Sequence, residues 1–109
     1  LALMESSTDI PAQVRAMLSH QQGYYPQLEQ VADRLFMSSR TLKRRLQQTG
    51  LGFQQLLDEA RKRDAIKLLQ NTSLTVEQIA LRLGYTDPAN FSRAFKKWTG
   101  EPPSQYRTI

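Results

Sequence analysis

Two stretches of the chain repeat one another in register, and this limits the fold more than any other feature. Leu28–Leu35 and Val76–Leu83 lie 48 residues apart and match at Glu29 and Glu77, Gln30 and Gln78, Ala32 and Ala80, Arg34 and Arg82, and Leu35 and Leu83. Further on, Leu42 and Leu46 pair with Phe91 and Phe95 at an offset of 49, and Thr49-Gly50 with Thr99-Gly100 at 50. The second copy therefore has one extra residue in its turn and another near its end. Each copy reads as a short helix, a tight turn and a second helix. The small Ala32 or Ala80 allows two helices to cross closely, and apolar anchors follow the turn. The chain is thus expected to build one helical motif twice.

The local signals agree. Asp9 is placed to cap a helix carrying Ile10, Val14, Met17 and Leu18 at helical spacing, with a stop near Gly23. Tyr24-Tyr25-Pro26 breaks the chain before a helix from Leu28 to about Phe36, whose inner face is Val31, Ala32 and Leu35. Ser38 is an N-cap for Ser39–Thr49, with Leu42 and Leu46 inward and Gly50 as the stop. A longer helix runs from Phe53 to about Leu69, with Phe53, Leu56, Leu57, Ala60, Ala65, Leu68 and Leu69 as its buried side, and Asn71-Thr72-Ser73 ends it. Thr75 with Gln78 forms a capping-box pattern before Val76, Ile79, Ala80 and Leu83, and Gly84 closes that helix. Asp87-Pro88 starts the next, which buries Phe91, Ala94, Phe95 and Trp98 and ends at Gly100. A last turn follows Pro102-Pro103-Ser104 and holds Gln105 and Tyr106. Nothing alternates with period two over strand length, so the chain is all-α with about seven helices, forming two helix-turn-helix subdomains joined by a long helix. The expected divisions are a linker at 1–8, a first subdomain at 9–52, a connecting helix at 53–70 and a second subdomain at 71–109. The first copy departs from the second twice. Phe36 stands where the second copy has Gly84, so a turn requiring positive φ would cost about 1 kcal/mol there and is expected to be looser or built differently. Gln27 replaces the capping Thr75 and is expected to weaken the start of its helix.

Charge follows the repeat. The net charge is +5, from 15 Lys and Arg against 10 Asp and Glu. Residues 39–49 hold Arg40, Lys43, Arg44 and Arg45, and residues 88–98 hold Arg93, Lys96 and Lys97, with no acid in either stretch. The remaining residues carry eight bases against ten acids. The basic character thus belongs to the second helix of each copy, as a polyanion partner requires. Arg40, Lys43, Arg44 and Gln47 form one outward stripe opposite Leu42 and Leu46, and Ala89, Asn90, Arg93, Lys96 and Lys97 form the matching one. Arg suits guanine, Asn adenine and the Ala methyl thymine in a major groove, so double-stranded DNA is the expected partner. The 17 residues from Phe53 to Leu69 span about 25 Å as a helix, against about 34 Å between successive major grooves on one face of the duplex. Two reading helices so joined could enter adjacent grooves of a bent duplex.

Other classes fall away. There is no cysteine and a single histidine, His20, so neither a cysteine-based zinc site, nor a multi-histidine metal centre, nor a thiol nucleophile can be assembled, and no cofactor motif is present. An enzyme is not expected. No apolar run approaches the roughly 20 residues of a membrane span, which fits a cytoplasmic protein without membrane contact. The rival from another class is a helical protein-interaction module whose basic faces meet an acidic partner. Asp58, Glu59 and Asp64 alternate with Arg61, Lys62, Arg63 and Lys67 and read as a solvated face.

Ser38-Ser39-Arg40-Thr41-Leu42-Lys43-Arg44-Arg45-Leu46, the run Ile79–Lys96 through Gly84-Tyr85-Thr86-Asp87-Pro88-Ala89-Asn90-Phe91, and Gly100, Pro103 and Tyr106-Arg107 resemble the DNA-binding domain of the AraC/XylS family of transcription regulators. The resemblance covers about residues 10 to 107. It implies two helix-turn-helix subdomains on a long helix, usually C-terminal to an effector-binding or dimerisation domain. It also implies an activator that works with RNA polymerase. By position, Arg40, Lys43 and Arg44 of the first recognition helix and Ala89, Asn90 and Arg93 of the second would read bases. Ser38, Ser39, Thr41, Gln47, Ser92, Lys96 and Lys97 would hold phosphates. Phe91, Phe95 and Trp98 would be core. The stretch from Leu51 to Asp58 looks most like members that regulate amino-acid catabolism or virulence.

Overall fold

The computed structural model describes residues 9–18 and 25–107. Among them are six α-helices and one 3-10 turn: α1 (Ile10–Met17), α2 (Leu28–Arg34), α3 (Ser39–Gln48), α4 (Phe53–Asn71), α5 (Val76–Arg82), α6 (Pro88–Thr99) and η1 (Pro103–Tyr106). The described residues form two compact units, one of residues 9–18 and 25–57, the other of residues 58–107, and the division falls inside α4. The expected linker at 1–8, the stop at Gly23, His20 and Tyr24 lie outside the described residues.

In the first unit α1 and α2 both pack on α3. Asp9 caps α1 by accepting the Ala12 N–H at 3.1 Å, and the helix ends at Met17 with Leu18 as its C-cap. Val14, Leu18, Val31, Leu42 and Leu46 are wholly buried, with Ile10, Ala32 and Leu56 beside them. Burial of such side chains supplies most of the stability of helices this short, which are marginal alone.

The turn between α2 and α3 corrects the expectation of a different construction. Phe36 takes φ +58°, the one residue other than glycine with positive φ among the described residues. Its N–H bonds to the Asp33 carbonyl at 3.1 Å and the Met37 N–H to Ala32 at 3.0 Å. Gly84 and Tyr85 make the same pair of bonds, to Leu81 at 3.1 Å and Ala80 at 3.0 Å. Both are Schellman closures, which satisfy the last carbonyls of the helix and need a left-handed residue after the cap. The first turn is thus the second one rebuilt with a strained residue. Gln27 is also less of a weakness than expected. Its N–H donates to the Gln30 side chain at 2.8 Å, as Thr75 N–H does to Gln78 at 2.8 Å.

In the second unit α5 packs on α6, and η1 closes against α6. Thr75 accepts the Gln78 N–H at 3.1 Å, completing its capping box. Ile79, Ala80, Leu83, Phe91 and Phe95 are wholly buried, with Ala60, Ala65 and Leu69 from α4. Phe91 lies 5.6 Å from Tyr85 and 5.9 Å from Phe95, and Phe95 meets Tyr106 edge-on at 5.0 Å, separations at which ring quadrupoles attract. In the sequence Arg107 stands only as part of the family pattern. Its guanidinium donates to the carbonyls of Thr72 at 2.8 Å and of Leu74, tying the chain end to the α4–α5 turn.

The buried side of α4 is narrower than expected. Phe53, Leu57 and Leu68 are only partly covered, while Leu56, Ala60, Ala65 and Leu69 are buried. Asp64, expected on a solvated face, is buried instead. Arg63 clasps it through Nε to Oδ1 at 3.0 Å and Nη2 to Oδ2 at 3.2 Å, which offsets the cost of removing a carboxylate from water. Trp98 is half-buried, touching Phe95 at 6.3 Å, and completes the core only in part.

Candidate nucleic-acid interface

The two helices that follow the turns carry the site. In α3, Ser38 accepts the Thr41 N–H at 3.1 Å and donates its hydroxyl proton to Thr41 Oγ1 at 2.9 Å. These bonds satisfy one of the free amides at the helix start and fix where the helix begins. From that start the helical period decides what faces inward. Leu42 and Leu46 are buried, which turns Arg40, Lys43, Arg44 and Gln47 outward, and all four are exposed. Arg45 is exposed as well, and Ser39 and Thr41 are half-buried at the helix start.

In α6, Asp87 Oδ1 accepts the Ala89 N–H at 3.0 Å, and Pro88 occupies the first helical position. Phe91 and Phe95 point inward, so Ala89, Asn90, Arg93, Lys96 and Lys97 are exposed, with Ser92 half-buried. The helix ends on Gly100 at φ +86°, a left-handed position that glycine occupies without strain. Each expected site residue therefore lies on α3 or α6, except Ser38, which caps the start of α3, and within each unit the expected base readers share the solvent face. The structure adds one contact that residue types alone do not reveal: Arg93 Nη2 donates to Asn90 Oδ1.

Each stripe is electrostatically simple. Neither α3 nor α6 contains an acid, and Asp87 is occupied as a cap at the edge of its stripe. Beside the second turn, the Arg61 guanidinium lies 5.1 Å from the centre of the Tyr85 ring, a cation–π distance. Burial raises the Tyr85 phenol above its ordinary pKa, and Arg61 pulls in the opposite direction. Arg61 was expected on a solvated face. What could have revealed it is its place in the same helical period as Asp58 and Ala65, which puts it toward the half-buried side of α4. Among the described residues no group of three His, Cys, Asp or Glu could hold a metal ion, and no helix is long and apolar enough to cross a membrane.

Comparison with known proteins agrees with this geometry. A sequence model of the helix-turn-helix domain family matches residues 31–109. The ornithine utilization regulator of Pseudomonas aeruginosa is 45% identical over 107 residues, covering 98% of this chain and 32% of the relative. The crystal structure of the transcriptional regulator CdpR, also from Pseudomonas aeruginosa, superposes with a TM-score of 0.87 at 34% identity, covering 98% of this chain and 34% of that one. The DNA-binding domain of AdpA, a global transcriptional factor crystallised with a target DNA, superposes at 0.70 with 30% identity, covering 93% of this chain and 88% of that domain. The chain spans about a third of the length of the curated relatives it matches. With two capped helix-turn-helix units and a family match over most of its length, the chain belongs to the AraC-type helix-turn-helix family of transcription regulators.

Proposed function

We propose that this chain is the sequence-specific, duplex-reading part of a transcription regulator. One observation carries the proposal: in both copies of the motif the helix after the turn buries its apolar anchors and presents an exposed, acid-free stripe. Cations on such a stripe neutralise phosphates and release counterions, while Arg, Asn and Ala offer groups that match base edges. Arg40, Lys43 and Arg44 read bases from α3, and Ala89 and Arg93 from α6, with Asn90 beside Arg93 on the same exposed face. Ser38, Ser39, Thr41, Gln47, Ser92, Lys96 and Lys97 hold phosphates and set register. The two stripes occupy adjacent major grooves. The chain acts by binding and not by catalysis.

In the complete regulator this part works beside an effector-binding or dimerisation domain, and it activates transcription through contact with RNA polymerase in the cytoplasm. The relatives' lengths support a further domain and their names a regulatory role, since the named proteins are regulators about three to four times as long as the matched segment. Selection of bound sequences from a random duplex pool is the test. Two enriched half-sites about one helical turn apart are expected. Equal retention of every duplex would favour the rival, a protein-interaction module that takes an acidic partner on its basic faces.

A further inference from the structure

We infer that Asn90 acts as a positioning residue for Arg93 and does not itself read a base, an inference that rests on the duplex-reading function proposed above. Asn90 and Arg93 stand three residues apart on the exposed face of α6, and the Asn90 Oδ1 accepts a hydrogen bond from Arg93 Nη2. Asparagine recognises adenine by accepting from the N6 amino group through Oδ1 while donating to N7 through Nδ2. Here one of the two lone pairs of the acceptor that adenine needs is already engaged by a guanidinium, and the amide is held in the orientation that bond requires. Arginine loses less by the contact. Its guanidinium has five N–H donors in a planar fork and spends one on Asn90, so a pair remains for guanine O6 and N7.

The first recognition helix lacks this brace. At the offset of 49, Arg44 corresponds to Arg93 and Thr41 to Asn90. Thr41 Oγ1 takes the Ser38 hydroxyl at 2.9 Å, and among the described residues no side-chain hydrogen bond reaches Arg40, Lys43 or Arg44. A long side chain that is loose before binding must be ordered on binding, and a braced one is ordered already. The second helix is therefore the more discriminating reader at its arginine position, and Asn90 is the reason.

Sequence selection from a random duplex pool with the wild-type chain and four variants tests this. Arg93→Ala should abolish the preference at one base pair. Asn90→Ala should weaken the preference at that same pair by about two- to tenfold, the range that ordering one long side chain spans. The double variant should be no less selective than Arg93→Ala alone. Asn90→Asp keeps the acceptor and loses the Nδ2 donor. It should retain the preference at the arginine's base pair while overall affinity falls through repulsion from phosphate. A loss of adenine preference at a different pair in Asn90→Ala, with the arginine's pair unchanged, overturns the inference, and so does an Asn90→Asp variant as unselective as Asn90→Ala. A wild-type chain that enriches no sequence overturns the duplex-reading function itself, and this shows before any variant is made.

Discussion

Phe36 is held at φ +58° with 96% of its surface exposed, so it combines backbone strain with almost no burial to offset it. Left-handed backbone costs a residue with a Cβ about 1–2 kcal/mol, and glycine's extra freedom in the unfolded chain returns part of any gain from removing that Cβ. Phe36→Gly should therefore stabilise the protein by about 0.5–1 kcal/mol, seen as a higher denaturant midpoint with an unchanged slope. A lower midpoint would mean that the ring makes a contact its exposure conceals. The reverse experiment is Gly84→Ala. An added Cβ meets nothing nearer than Arg61 Nη2 at 3.8 Å, so only the φ of +91° opposes it, and a loss of about 1 kcal/mol is expected from the same denaturation curve. The sequence repeat made the position visible by setting Phe36 against Gly84. It did not reveal the outcome, because the two closing hydrogen bonds are backbone groups common to both copies. Leaving them unmade at a helix end would cost more than the strain.

At the scale of elements, what could be read from sequence was what local chemistry dictates. Ser38, Thr75 and Asp87 each cap the helix expected of them, since a short side chain with an oxygen acceptor competes for the free amides of a helix start whatever packs nearby. Ser38→Ala should cost about 1 kcal/mol in thermal or chemical unfolding, with a cost near zero indicating that solvent or Thr41 replaces the cap. The long helix was harder to read because its charged residues outnumber its large apolar ones. Asp64 lies four residues after Ala60 and so on the buried stripe, but residue type argued for solvent. The clasp by Arg63 reverses that preference, and residue types alone do not signal it. Arg107 is the corresponding case at a distance: no local pattern announces that a residue in the last turn will cap carbonyls at Thr72 and Leu74. Arg107→Met keeps much of the stem and removes the donors, so it should destabilise the protein by about 1.5–3 kcal/mol, the range for hydrogen bonds to a charged group. Unfolding at an unchanged denaturant midpoint would show that the bonds exchange freely with water.

For the whole molecule the governing quantity is where the charge lies, since seven of the fifteen bases sit on α3 and α6 with no acid among them and the rest of the chain carries an excess of acids. This much could be read from sequence, because a capped amphipathic helix fixes which residues face out once its buried anchors are known. The arrangement of side chains within a stripe could not, because the Asn90–Arg93 bond depends on rotamers and not on period. The distribution makes a quantitative demand on duplex binding. Each phosphate neutralised contributes about 0.9 to the slope of log affinity against log salt. Lys97 is exposed in the last turn of α6, outside the set expected to read bases. Lys97→Ala should lower affinity by the same factor on every duplex and reduce the slope by about 0.9. Lys67→Ala removes the same charge from an exposed position on α4, a helix that carries neither stripe, and should leave the slope unchanged. Titrations from low to moderate salt on an enriched site and on a scrambled one separate the two variants. If the two lysines reduce the slope equally, binding follows the net charge of +5 and not its placement, and the two stripes lose their claim to be the interface.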